Sequence, residues 1–132
     1  MFTVETRTVA GQVTALGSAG SFTLVVDRPT EAGGGGKGFN GGQLLYLAVA
    51  GCISNDLFRE ASRFGVILDS VRVVVQGDFS GDPAVSEAIT YDVEVSGSGD
   101  LDALVREVDR IAEIPNTLRE GAPVSLRTIR IV

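Results

Sequence analysis

The pattern of apolar and polar positions divides the chain into strands and helices before any residue suggests chemistry. From Phe2 to Asp27, Thr, Val and Phe recur, punctuated by Ala10-Gly11 and by Gly17-Ser18-Ala19-Gly20. Residues with strong β preference between turn-forming pairs predict a meander of three strands, Phe2–Val9, Gln12–Leu16 and Ser21–Asp27. Pro29 and the run Gly33–Gly36 end regular structure there, because proline withholds a ladder donor and consecutive glycines are costly to order. A mobile surface loop over residues 30–38 is the expectation.

Asn40 is a good N-cap, and the apolar positions after it (Leu44, Leu45, Leu47, Val49, Ile53, Leu57, Phe58, Phe64) are too dense for a one-sided stripe. They predict a helix over 41–64, buried nearly all round in its first half and closed by Gly65 as a C-cap glycine. Leu68–Phe79 returns to the strand pattern. After a turn at Gly81-Asp82-Pro83, Ile89, Tyr91, Val93 and Val95 alternate with Thr90, Asp92 and Glu94, which predicts a hairpin with one wet face. Asp100 caps a second helix whose Leu101, Leu104, Val105, Val108 and Ile111 share one face. Pro115 is expected to stop it, with a turn near Asn116–Leu118. Val124–Val132 then reads as a terminal strand whose apolar phase switches near Thr128-Ile129, as a β-bulge would produce. The order βββαββαβ has no regular βα alternation, so the fold class is α+β. A helix apolar on all sides exceeds what one small sheet covers, which points to a homodimer.

Composition narrows the chemistry. The chain has 132 residues, 44% hydrophobic and 21% charged, the profile of one soluble globular domain spanning 1–132. A formal charge of -6 argues against nucleic acid as a partner, since phosphate binding needs a basic surface. Histidine is absent, which removes serine and cysteine triads built on His and the usual zinc and iron ligand sets; no metal and no cofactor are expected. Lacking a signal segment and an apolar stretch of membrane-spanning length, the chain is expected to be cytoplasmic. The glycine run has neither the GxxxxGK[ST] nor the GxGxxG spacing, so it reads as a loop and not as a phosphate cradle. Asp92 with Glu94, and Asp109 with Glu113, fall on solvent faces.

Cys52 is the only cysteine, and thiolate chemistry is the one covalent mechanism this composition leaves. A lone cysteine in an apolar helix is more often an inert small hydrophobe, and that reading stands beside the chemical one. It lies about three turns past Asn40, beyond the reach of the helix dipole, so a cation would have to support a thiolate. Arg59 lies seven residues on along the same face, while Asp56, four residues on, opposes ionisation. Arg7 and Arg28 are the candidates from other elements.

The segment GFNGGQLLYLAVAGCISNDLFREASRFGVILDSVRVVVQGDF resembles the OsmC/Ohr family, the osmotically inducible and organic hydroperoxide resistance proteins. The features carrying the resemblance are the Gly-rich loop, Asn40, Gln43-Leu44, a small-residue helix reaching Cys52, and a strand closing in Gly77-Asp78-Phe79. Pro29, Glu31 and Gly33-Gly34 also fall in the family's frame. The resemblance implies an intertwined homodimer, its central helices wrapped by antiparallel sheets, and a thiol peroxidase with active sites at the subunit interface. It further implies a peroxidatic cysteine, an arginine and a glutamate holding the thiolate, and a resolving cysteine reduced by an external dithiol. Cys52 matches the first. Gly42 stands where the family has its glutamate, the arginine belongs near Ala10-Gly11-Gln12 so that Arg7 or Arg28 would serve only by a shift, and Ala112–Pro115 occupies the place of the second cysteine. Two functions stay open: a one-cysteine peroxidase that uses an external thiol reductant, and a noncatalytic dimer binding a small apolar ligand at its interface.

Overall fold

The computed structural model describes residues 1–132 and divides into two compact units, Met1–Leu47 and Ala48–Val132. In the first unit, β1 (Glu5–Thr8), β2 (Ala15–Ala19) and β3 (Phe22–Val26) form an antiparallel meander in the order β1-β2-β3. The three expected strands are present, but the second starts later than Gln12. Val9 N–H donates to Thr14 and Gln12 N–H to Val9, so 9–14 is a closed turn and the ladder resumes at Ala15 opposite Thr8. Gly17 lies within β2, where a Cβ would come within 3.1 Å of the Val26 side chain. Lacking a side chain there, the sheet packs close over that face.

The loop after β3, expected to lack regular structure over 30–38, is tied by backbone hydrogen bonds. A short 3-10 turn at Thr30–Ala32 follows Pro29, and the chain then folds back so that Gly36 N–H donates to the Arg28 carbonyl and Phe39 N–H to that of Val25. Glycine is needed at 34 because an added Cβ would lie 1.9 Å from the Arg28 carbonyl oxygen. The run permits close approach of backbone to backbone rather than freedom.

Helix α1 (Gly41–Glu60) is continued by a 3-10 turn, Ala61–Phe64, and ends at Gly65 with φ 63°. Asn40 Oδ1 accepts from Gln43 N–H at 2.9 Å while Gln43 Oε1 accepts from Asn40 N–H at 3.0 Å, a reciprocal capping box that fixes the start. All-round burial of the first half is not what the chain achieves by itself: Val49 is buried there, but Leu47 is 49% exposed, as is 56% of Phe58 further on.

In the second unit β4 (Ile67–Gln76) pairs antiparallel with β7 (Thr90–Ser98), and a small outer hairpin, β5 (Phe79–Ser80) with β6 (Val85–Ser86), joins them around Asp82-Pro83. The wet face is as expected, with Arg72 and Glu94 paired across it at 2.8 Å. Helix α2 (Leu101–Ile111), capped by Asp100 Oδ1 on Ala103 N–H, buries Leu104 and Val108 completely. With Ile53, Leu57, Ala61, Val66 and Ala112 they form the core, flanked by Val71, Val73, Tyr91, Val93 and Val95. Burial of each such side chain contributes about 1.5–3 kcal/mol, so this cluster stabilises the unit.

Two expectations at the C-terminal end fail. Ala112 is extended and a third helix, α3 (Glu113–Glu120), begins there, so Pro115 sits in a first turn and not at a stop. Proline is tolerated at that place because the first-turn N–H groups have no helical acceptor. Residues 122–132 form no strand. Their alternation is real, but a strand exists only with a ladder partner; Val124, Leu126, Ile129 and Ile131 are exposed along the whole segment.

Candidate functional site

Cys52 lies on α1, half-buried against the core of the second unit. Its Sγ donates to Asp56 Oδ2 at 3.9 Å, the i,i+4 spacing that puts both side chains on one helix face. Asp56 is buried, and its other oxygen, Oδ1, pairs with Arg59 Nη1 at 3.0 Å. Arg59 Nε pairs in turn with Glu60 at 3.1 Å, and Arg63 Nη1 closes on the second Glu60 oxygen at 2.6 Å with its guanidinium 5.9 Å over the Phe64 ring. Arg63 and then Arg59 hold the Glu60 carboxyl below its ordinary range. Carboxylates and guanidinia thus alternate along the C-terminal half of α1, and the series ends at a thiol. Arg59, the cation anticipated on the Cys52 face, is engaged by the two carboxylates next to it.

The other two arginines belong to the first unit. Arg7 extends from β1 into solvent and pairs at 3.5 Å with Glu5 on its own strand. Arg28 is exposed, its backbone held on both sides, and it lines a cleft of about 360 Å³ together with Asn40 and Gly41. A second cleft in this unit, about 520 Å³, is lined by apolar side chains of the β1–β3 face, Val4, Phe22, Leu24 and Val26, and by Leu44. No set of three His, Cys, Asp or Glu side chains is grouped to hold a metal ion.

Sequence reading missed Asp27, the buried carboxylate that organises the glycine loop. Its two oxygens accept from the Thr14 hydroxyl at 2.7 Å and from the backbone N–H groups of Arg28, Gly35 and Lys37 at 2.8, 2.9 and 3.2 Å. The Gly35 N–H and the Thr14 hydroxyl outweigh burial and lower its pKa from 3.8 to about 2. An acidic residue directly ahead of Arg28-Pro29 and a glycine run was the available signal, since glycines let N–H groups converge on one anion. Within the second unit, Tyr91 donates to Asp109, which also takes Arg119 Nη2 at 2.7 Å and ties α3 to the sheet. Burial, and then Asp109, push the Tyr91 hydroxyl up to about 12.

A meander, a long helix bearing one cysteine, a hairpin and a covering helix define an α+β protein of the OsmC type. The family model described as OsmC-like protein matches residues 34–127, and the chain belongs to that family. Among solved structures it is similar to an OsmC-like protein from Mycoplasma pneumoniae, at 16% identity and TM-score 0.78 over 90% of this chain and 87% of that one. It is similar also to an organic hydroperoxide resistance protein OsmC from Legionella pneumophila, at 18% identity and TM-score 0.65 over 90% and 89%. An OsmC-like hydroperoxide resistance protein from Jannaschia sp. CCS1 aligns over 98% and 92% with TM-score 0.58 and 16% identity. Identities this low establish the shared fold and nothing finer. No curated protein matches the chain. No helix is long and apolar enough to cross a membrane.

Proposed function

We propose that this OsmC-like protein is a one-cysteine, thiol-dependent peroxidase that reduces organic hydroperoxides through Cys52. The observation that carries the reading is the position of Cys52: the chain's sole sulfur nucleophile, within the family's matched segment, half-buried on α1 with its S–H engaged by a carboxylate. The Cys52 thiolate attacks the terminal peroxide oxygen, the O–O bond breaks, and the departing alkoxide takes a proton to leave as an alcohol. Cys52 is then a sulfenic acid. With no second cysteine in the chain, an external thiol condenses with it, releasing water and forming a mixed disulfide, and a second thiol restores Cys52. Gly42 in place of the family's glutamate makes turnover slow in this reading. Arg28→Ala and Arg7→Ala test the two cations the resemblance offers.

The working form is a cytoplasmic homodimer. Phe22 in β3 is 80% exposed and the tail residues Leu126 and Ile129 are 79% and 71% exposed, more apolar surface than a lone chain keeps in water. Light scattering at micromolar concentration is expected to give twice 13.8 kDa; a single-chain mass would overturn it. Peroxide consumption with dithiothreitol as reductant tests the activity, and Cys52→Ser is expected to abolish it without changing the mass of the assembly. A second reading rests on the 520 Å³ apolar cleft, which suits a small apolar ligand bound without chemistry. It becomes the better one where cumene hydroperoxide leaves Cys52 unmodified over hours.

A further inference from the structure

We infer that Asn40 is a site of spontaneous deamidation, held in check by the capping box it forms with Gln43. The chain has three asparagines, and each precedes a different residue: Asn40 stands before Gly41, Asn55 before Asp56 and Asn116 before Thr117. Asparagine is thermolabile because the backbone nitrogen of the next residue can attack its side-chain carbon, a step that a side chain on that residue obstructs. Only Asn40 lacks the obstruction. Asn55 lies inside α1, where the Asp56 N–H is committed to the helix. Asn116 is tied at both side-chain atoms, Nδ2 donating to the Arg110 carbonyl at 2.9 Å and Oδ1 accepting from Arg119 at 2.8 Å. Gly41 opens α1, so its N–H belongs to the first turn, whose N–H groups have no helical acceptor. Nor does the fold ask for glycine there: an added Cβ would meet no atom within 4 Å, φ is not left-handed, and alanine would favour the helix.

In the reaction the Gly41 nitrogen bonds to Asn40 Cγ, the Cγ–Nδ2 bond breaks, and Nδ2 leaves as ammonia with the proton that Gly41 gives up. Water then opens the cyclic imide at either carbonyl, leaving aspartate at position 40 or its isoaspartyl isomer, with no change in oxidation state. The capping box opposes the first step. Asn40 Oδ1 is held by the Gln43 N–H at 2.9 Å and the Asn40 N–H by Gln43 Oε1 at 3.0 Å, so the side chain has little freedom to turn toward Gly41. The two products differ in effect. Aspartate caps as well as asparagine and puts a negative charge where the α1 dipole favours one. Isoaspartate takes the residue-40 carbonyl out of the backbone, and with it the acceptor of the Leu44 N–H, one residue from Phe39 and its bonds to Val25 and Asp27.

The test is incubation of the full-length chain for weeks at mildly alkaline pH, where base takes the Gly41 proton, followed by peptide mass mapping and by labelling with an isoaspartyl methyltransferase. Circular dichroism confirms the fold of each variant. Conversion of amide to acid is expected to concentrate at Asn40, to rise with pH and to yield isoaspartate there. Gly41→Ala is expected to convert several-fold more slowly, Gln43→Ala several-fold faster, and Gln43→Glu, which keeps an oxygen for the Asn40 N–H, at the parent rate. An intact Asn40 in the folded parent, conversion as fast at Asn116, or a Gly41→Ala rate equal to the parent's overturns the site. An unchanged or slower rate in folded Gln43→Ala overturns the control by the box. If that variant does not fold, the parent in urea, where the box is absent, takes its place: it is expected to convert faster than the folded chain, and an equal rate overturns the control.

Discussion

Two buried carboxylates, one in each unit, meet different surroundings and do different work. Asp27 is encircled by neutral donors, three backbone N–H groups and a hydroxyl, with both oxygens satisfied. Asp56 has one guanidinium on one oxygen and a weak thiol donor on the other. The first arrangement spends the charge on holding backbone in place, and the loop it gathers is hydrogen-bonded although glycine dominates it. The second shares its oxygens between a guanidinium and a thiol on one helix face. Burial alone does not tell two such carboxylates apart; the chemistry of their donors does.

The comparison breaks most visibly at Gly34. A methyl group there would lie 1.9 Å from the Arg28 carbonyl oxygen, so Gly34→Ala must open the folded-back loop. The expected loss is about 3 kcal/mol in urea unfolding, with faster cleavage by trypsin after Lys37. A melt superimposable on that of the parent would show the loop is not packed as described.

Asp27→Asn acts on the same loop through pH. The folded carboxyl titrates near 2 against 3.8 for the ordinary group. Between those values the unfolded chain binds more protons, so stability rises with pH there; it is fully present above 4 and is lost on acidification toward 2. Asp27→Asn is expected to be less stable at neutral pH and to lack this acid limb. An equally steep acid limb in the variant would assign the effect to other carboxylates.

Tyr91 supplies the contrasting case from the second unit. Its hydroxyl is pushed up to about 12 from 10, so the folded state holds the proton more tightly and stability falls as pH rises from 10 toward 12. Tyr91→Phe should remove that alkaline limb and cost about 1 kcal/mol, the usual worth of a hydrogen bond. An unchanged alkaline limb would mean that Tyr91 is not the group responsible.

The elements of both units were legible where a pattern reports on one chain alone. The period-two alternation of Val71, Val73 and Val93, and the spacing of Leu101, Leu104 and Val108, pointed to the faces that are buried. The reading failed where a residue's meaning depends on partners distant in sequence. Pro115 looks the same at a helix end and in a first turn. Gly33–Gly36 reads as mobile until Asp27 and Thr14 are brought to it by the β2–β3 register. The strand character of 124–132 has no ladder to join in the lone chain. At the site, Cys52 with Asp56 and Arg59 was visible as helix spacing, but the division of Arg59 between Asp56 and Glu60 follows from side-chain geometry that sequence does not carry.

The central claim is that Cys52 performs peroxide chemistry without a resolving thiol, and intact-mass spectrometry after exposure to cumene hydroperoxide tests it most directly. The expected result is addition of one oxygen at Cys52, converted by added thiol to the mixed disulfide, with further oxygens where thiol is withheld. An unmodified mass after hours, in protein that stays folded and whose Cys52 is open to alkylation, would contradict the claim and leave the apolar cleft as the functional feature.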